Sequence, residues 1–371
     1  MNMKSNIMDS TLLLLLLLCV ILSTQNFITC QKMNKSEEVV TIQTRYGDTY
    51  ECVDFYKQPA FAHPLLKNYK FNFKMNFSFQ DSVGRTTDSR SLIGSKLSDI
   101  WLNGKGCPIG MVPIKRITEN DSLQPNLVTG VILNPGVHVA VLHTTGGQLY
   151  YGGGMFTSVY NPVVKDNQYS SSRIKLQNGP DSIAAGWVVN PSLYQDNQTR
   201  LFIYTTTKDS RCYNTFCPGF VLMSHNIPID LVLNPVSKRG GNIYGENFFI
   251  RKDPENGDWY LRVGSNNILG VRPKKIFTSL ASFANYAEWG GEVYSPPGTT
   301  PPPMGSGYLP VGSAKQDGYA KLISTVNENN LINYDPSGCD TYADSDRYKV
   351  IDEGNVGAYF QRLVFFGGNS F

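Results

Sequence analysis

The sequence predicts a mainly β protein, an antiparallel β-sandwich preceded by a small N-terminal domain. Two features of the chain point there. Gly and Pro total 55 of 371 residues, above the ~12% average, and in the second half they recur every eight to twelve residues. Between them lie short runs of β-branched and aromatic residues, with 21 Tyr and 19 Phe in the chain. Strands of this length and spacing build sandwiches and barrels rather than helical bundles.

The elements follow in order. Residues 1–24 read as a secretory signal peptide, with Lys4 ahead of an unbroken apolar run from Leu12 to Leu22. Eleven residues of helix span about 16 Å, against a hydrocarbon core of ~30 Å, so the run is a targeting segment and not a membrane span. Cleavage is expected near Ser23–Thr24 or as late as Cys30. Val39, Val40 and Ile42 are strand-like. Residues 52–70 hold Pro59 and Pro64 and read as turns. Phe71, Phe73, Met75, Phe77 and Phe79 alternate with polar residues, a strand signature. Residues 81–99 read as a loop and 117–126 as a linker. From Leu127 short strands recur, at 183–189, 199–206, 220–225, 248–251, 259–263 and 363–366. The single helix predicted is 274–285, from Ile276, Phe277, Leu280 and Phe283. Residues 295–303 (SPPGTTPPP) form an exposed proline-rich loop.

Charge excludes some functions. Lys plus Arg total 33 and Asp plus Glu 30, a net charge of +3 spread along the chain. No basic patch argues for a nucleic-acid partner, and no membrane association is expected once the leader is removed. Export agrees with the N-x-S/T acceptors Asn34, Asn76, Asn120 and Asn197 and with cysteines free to pair in an oxidising compartment. No Cys/His cluster has the spacing of a metal site. His138 and His143 fall on opposite faces of one strand. No cofactor motif is present.

Carboxylates carry more information. The glutamates after Leu127 are Glu246, Glu255, Glu288, Glu292, Glu328 and Glu353. Glu255 and Glu328 sit in turn-like surroundings. Glu288 and Glu292, in AEWGGEV, flank Trp289 and lie four apart, hence on one strand face. A carboxyl beside a tryptophan is partly desolvated, which raises its pKa toward acid–base use.

Several ordered segments then carry a resemblance: YECVDFYKQPAFAHPLLKN (50–68), GCPIGMVPIKR (106–116), IAAGWVVNPSLYQDNQTRLFIYTT (183–206), CYNTFCPGF (212–220), KDPENGDWYL (252–261), EWGGEV (288–293) and PPMGSG (302–307). From about residue 50 onward the chain resembles the neprosin family of secreted plant proteins. The resemblance implies a signal peptide at 1–24, an activation domain or propeptide at 25–122, and a peptidase-type β-sandwich at 123–371. It implies a glutamic-type endopeptidase cutting near proline in acid, with proline-containing peptides or cell-wall material as partners. The implied location is extracellular or apoplastic, with the vacuole as alternative. One catalytic glutamate matches Glu292, with Glu288 as second choice. The other belongs where active members read I-E-A-G-W; here Ala184 stands in that position. Losing a general acid–base group costs ~10²–10⁴-fold in rate, so a weak or inactive enzyme is implied, with a non-catalytic ligand-binding sandwich as the alternative. Glu246 is a candidate substitute carboxyl. Trp187, Trp289, Tyr194, Tyr204 and Tyr294 are candidates to line a substrate groove. Cys212–Cys217 and Cys52–Cys107 are the implied disulfides, and Cys339 lacks its usual C-terminal partner.

Overall fold

The computed structural model describes residues 39–69, 92–93, 99–116, 135–265 and 267–369. The leader, the 71–79 strand, the 117–126 linker and the acceptors Asn34, Asn76 and Asn120 lie outside them. The chain from Thr41 to Phe371 forms one compact unit.

Its first part is a three-stranded antiparallel sheet, β1 (Thr41–Gln43), β2 (Thr49–Asp54) and β3 (Met111–Lys115), in that order. Cys52 and Cys107 are disulfide-bonded across a separation of 55 residues. Short 3-10 turns follow β2. Asp54 caps the first through the Tyr56 amide, and Pro59 and Pro64 open the next two, where a missing N–H costs nothing.

The remainder is two packed antiparallel sheets built from β4 (Val137–Thr144), β5 (Gly152–Ser158), β6 (Tyr169–Asn178), β7 (Asp181–Val189), β8 (Arg200–Thr206), β9 (Arg211–Tyr213), β10 (Val221–Leu222), β11 (Gly245–Lys252), β12 (Trp259–Val263), β13 (Asn267–Arg272), β14 (Tyr286–Tyr294), β15 (Met304–Gly305), β16 (Gly318–Val326), β17 (Ile332–Asn333), β18 (Cys339–Ala343), β19 (Tyr348–Asn355) and β20 (Arg362–Gly368). One sheet has seven strands, ordered β18-β4-β14-β6-β7-β8-β9. The other has ten, along β10-β13-β12-β11-β5-β16-β20-β15, with β17 beside β16 and β19 beside β20.

Alternation decides which residues meet between the sheets. Across the seven-stranded sheet, Leu142, Trp289, Ile174, Ala185 and Ile203 stand abreast and are all buried. Two residues along β7, Trp187 lies on the same inner face and donates from Nε1 to the Ser158 carbonyl at 2.9 Å. A Thr157–Ser172 hydroxyl pair at 2.7 Å ties the two sheets together. Trp187 and Trp289 are therefore core, both 0% exposed, and correct the expectation that they line a groove. Their indoles fill the space between the sheets, which leaves them no surface for a ligand.

The predicted helix is also corrected. Lys274–Ile276 forms one 3-10 turn and the chain then runs in turns to β14. The Thr278 and Leu280 amides donate to the Asp181 carboxylate at 2.6 and 3.1 Å instead of to carbonyls four residues back. A side-chain acceptor from β7 thus replaces the helical ladder.

Candidate functional site

The other face of the seven-stranded sheet carries the chemistry. Because Trp289 points inward, its neighbours at 288 and 292 point outward. The register then lines up two rows. Glu288, Lys175, Ala184, Tyr204 and Tyr213 stand abreast on β14, β6, β7, β8 and β9. Glu292, Ser171, Val188 and Arg200 form the row four residues away along β14.

Arg173 lies between these rows, and its neighbours on both flanking strands are Gly290 and Gly186. Neither position accepts a side chain. Gly290 has φ +145°, and a Cβ there would meet the Ala140 carbonyl at 2.3 Å, while one at Gly186 would meet the Ser172 carbonyl at 1.9 Å. With no side chain on either flank, the guanidinium extends over bare backbone and reaches both acids. Nη1 is 2.6 Å from Glu288 Oε1. Nε is 3.1 Å from Glu292 Oε2, which also takes a bond from Nη2. The arginine side chain is 5% exposed, Glu288 7% and Glu292 20%.

Tyrosines satisfy the remaining carboxylate oxygens. Tyr169 donates to Glu292 Oε1 at 2.8 Å and Tyr286 to Glu288 Oε2 at 2.5 Å. Lys175 Nζ adds a contact with Glu288 Oε1 at 3.4 Å. Burial alone would raise the Glu288 pKa. The charges of Arg173 and Lys175 and the bonds from Tyr286 and Arg173 outweigh it and hold that carboxyl well below the usual range. Burial and the Glu292 charge push Tyr169 up. The Glu292 charge also raises Tyr204 and Tyr213, after burial and neighbouring groups. Its field therefore extends toward the strands beside Ala184.

Ala184 itself contributes a methyl group. It is 2% exposed, between Lys175 and Tyr204. Two strand spacings, about 9.6 Å, separate its backbone from that of Glu288. Glu246 does not fill the gap. It lies on β11 of the other sheet, wholly buried, and accepts the amides of Ile93 and Asn247, each at 2.7 Å. Among the described residues no group of His, Cys, Asp and Glu could hold a metal ion.

The candidate aromatics divide. Tyr204 is half-buried on the outer face, its ring 4.5 Å from that of Tyr213. Tyr294 stacks on Tyr169 at 5.8 Å. Tyr194 is 7% exposed, packed with Val188 and Phe202. Lys115 and Arg200 approach its ring at 5.7 and 5.2 Å, and its hydroxyl accepts from Asn214. The first sheet covers this end. Asp48 takes two bonds from Arg200, at 3.0 and 2.9 Å, Lys115 lies 3.1 Å from Asp48 and 3.2 Å from Asp230, and Tyr50 donates to Asp230 at 2.7 Å. Tyr194 is thus covered, not part of an open groove. Cys212, on β9, is bridged to Cys217, and Cys339 has no disulfide partner among the described residues, its thiol pushed up to about 11 by burial.

Sequence reasoning missed Arg173, Lys175 and Tyr169. The signal was in YSSSRIKLQ, where Ile174 and Leu176 mark the inner face and leave Arg173 and Lys175 on the outer one.

A short N-terminal sheet clamped by ion pairs onto a β-sandwich with paired acids on one face defines a two-part protein. A profile of the neprosin family matches residues 166–369, and one of the neprosin activation peptide matches residues 41–132. The first covers more than half of the chain, and the chain belongs to the neprosin family, a peptidase-like protein with its activation region ahead of the sandwich. Among solved structures, scytalido-glutamic peptidase with a peptide based transition state analog is similar at 7% identity and TM-score 0.34, over 63% of this chain and 98% of that one. The same peptidase with a transition state analog inhibitor gives 8% and 0.34, over 62% and 98%. Similarity at that level carries no functional argument.

Proposed function

We propose that this chain is a secreted member of the family that binds extended peptides on the outer face of the seven-stranded sheet and lacks two-carboxyl amide hydrolysis. One observation carries the reading: Arg173 is ion-paired to both Glu288 and Glu292, and the position abreast of Glu288 on β7 is Ala184.

Splitting an amide with two carboxyls requires one ionised group to take a proton from the attacking water. The other must be protonated, to donate to the oxyanion or the leaving amine. Such pairs share a proton because two close carboxylates repel. Here a guanidinium stands between the two acids and removes that repulsion. Glu288 is held ionised in acid and has no proton to give. Glu292 is bonded to Tyr169 and Arg173 on β6, and on the next strand Ala184 offers it no partner. The missing group removes ~10²–10⁴-fold of rate, or ~3–5 kcal/mol of barrier.

Tyr204, Tyr294 and the stem of Lys175 remain to receive a ligand, and proline-containing peptides suit these rings. Secretion is supported by the leader sequence, the exposed acceptor Asn197 and two disulfides. The test is incubation of the acid-treated protein with a proline-containing peptide, followed by mass spectrometry and by a binding titration. Binding without cleavage supports the reading. Turnover abolished by Glu292→Gln would instead establish the chain as an active endopeptidase.

A further inference from the structure

A cavity of about 740 Å³ opens at one end of the sandwich. Three stretches and one further residue form it: residues 160–168 between β5 and β6, residues 236–239 between β10 and β11, residues 300–308 around β15, and Asn369 after β20. None of Arg173, Ala184, Glu288 or Glu292 lines it, and no residue of the activation region does.

Its chemistry is one-sided. The walls are apolar, from Pro162, Val236 and the run Pro301, Pro302 and Pro303, with the ring of Tyr160. Every charged residue of the lining is a cation: Lys165, Lys238 and Arg239. Arg239 lies over the Tyr308 ring at 4.4 Å and donates to Gln316 at 3.2 Å, which holds it in place without neutralising it. Asp317 lies outside the lining, its Oδ2 accepting the Val311 and Ser313 amides, and its charge acts on Tyr160 against that of Arg239. Asp166, beside Lys165, is exposed and outside the lining. Several polar side chains of the wall are committed elsewhere. Gln168 bonds the Thr300 carbonyl and the Lys165 amide, Ser237 bonds Tyr244, and Asn161 accepts from Thr199. The buried Ser306 hydroxyl has no partner among the described residues.

The volume is that of a small-molecule site, largely apolar with a few polar groups to fix orientation. Lys165, Lys238 and Arg239 form no ion pair among the described residues, and cations lining an apolar cavity attract anions. We propose that this cavity binds an organic anion with a flat apolar body, of the aryl carboxylate or sulfonate class. The anionic group meets Lys238 and Arg239, and the ring lies on the proline wall. This site is independent of the peptide-binding reading.

The experiment is calorimetric titration of the full chain at neutral pH with 2-naphthoate and with the neutral 2-naphthamide. Naphthoate is expected to bind saturably and about tenfold or more tighter than the amide, and the double variant Lys238→Gln, Arg239→Gln to lose about tenfold. Lys208→Gln, an exposed lysine away from the cavity, serves as control and should change nothing. If the double variant misfolds, salt decides on the wild type: naphthoate affinity should fall between about 20 mM and about 500 mM NaCl, as screening predicts. Equal binding of acid and amide, no saturation, or no effect of either the variant or salt overturns the proposal. Trigalacturonate binding as tightly as naphthoate would overturn the apolar body.

Discussion

The Arg173 guanidinium lies 2.6 Å from the Glu288 carboxylate, both side chains nearly sealed from solvent. Removing one partner of a buried pair strands the other. Arg173→Gln should therefore destabilise the fold by about 3–5 kcal/mol at neutral pH, read by urea unfolding. The wild-type pair contributes stability above the unfolded glutamate pKa of about 4.3. Because the folded value is depressed, that contribution is lost only as pH falls toward the folded value. Without Arg173, burial favours the protonated acid, so the cost of the variant should shrink as pH falls toward about 4. A cost independent of pH would contradict the pairing.

The same logic applies where the activation region meets the sandwich. Asp48 takes two bonds from Arg200, whose side chain is 2% exposed. Arg200 keeps a second partner in Asp196, so Asp48→Ala should cost at or below the low end of the buried-pair range, about 2–3 kcal/mol. Urea unfolding measures it, and a cost under about 0.5 kcal/mol, the level of an ordinary surface change, would remove Asp48 from the interface account.

Core and face aromatics should respond differently to truncation. Trp289→Ala should cost about 3–5 kcal/mol, as large-to-small core changes do, and lower the melting temperature. Tyr204→Ala, on the outer face, should weaken peptide binding more than it weakens the fold. The reverse pattern would return Trp289 to the ligand surface.

Periodicity accounts for the part of the fold that was legible in the sequence. Short β-rich runs between Gly and Pro signals gave the sandwich, and the four-residue spacing of Glu288 and Glu292 gave their shared face. The same rule placed His138 and His143 on opposite faces, and the register agrees: His143 stands abreast of Glu288, and His138 of the inward Val293. Burial beyond the strand was not legible. Trp187 and Trp289 suit a groove or a core equally well by composition, and only the packing of the second sheet decides. The 274–285 stretch has helical spacing but lost its helix to the Asp181 carboxylate, a contact 97 residues away from Thr278. Arg173 was hidden for a similar reason, since its significance depends on two glycines from neighbouring strands.

The most direct measurement compares wild-type protein with Ala184→Glu for cleavage of a proline-containing peptide across acid pH. The new carboxyl would stand abreast of Lys175 and beside Tyr204, facing the Glu292 field. The account predicts an inert wild type that still binds the peptide, and a variant that gains turnover, more so when combined with Arg173→Gln. Wild-type cleavage at a rate the Ala184→Glu change does not raise would contradict it.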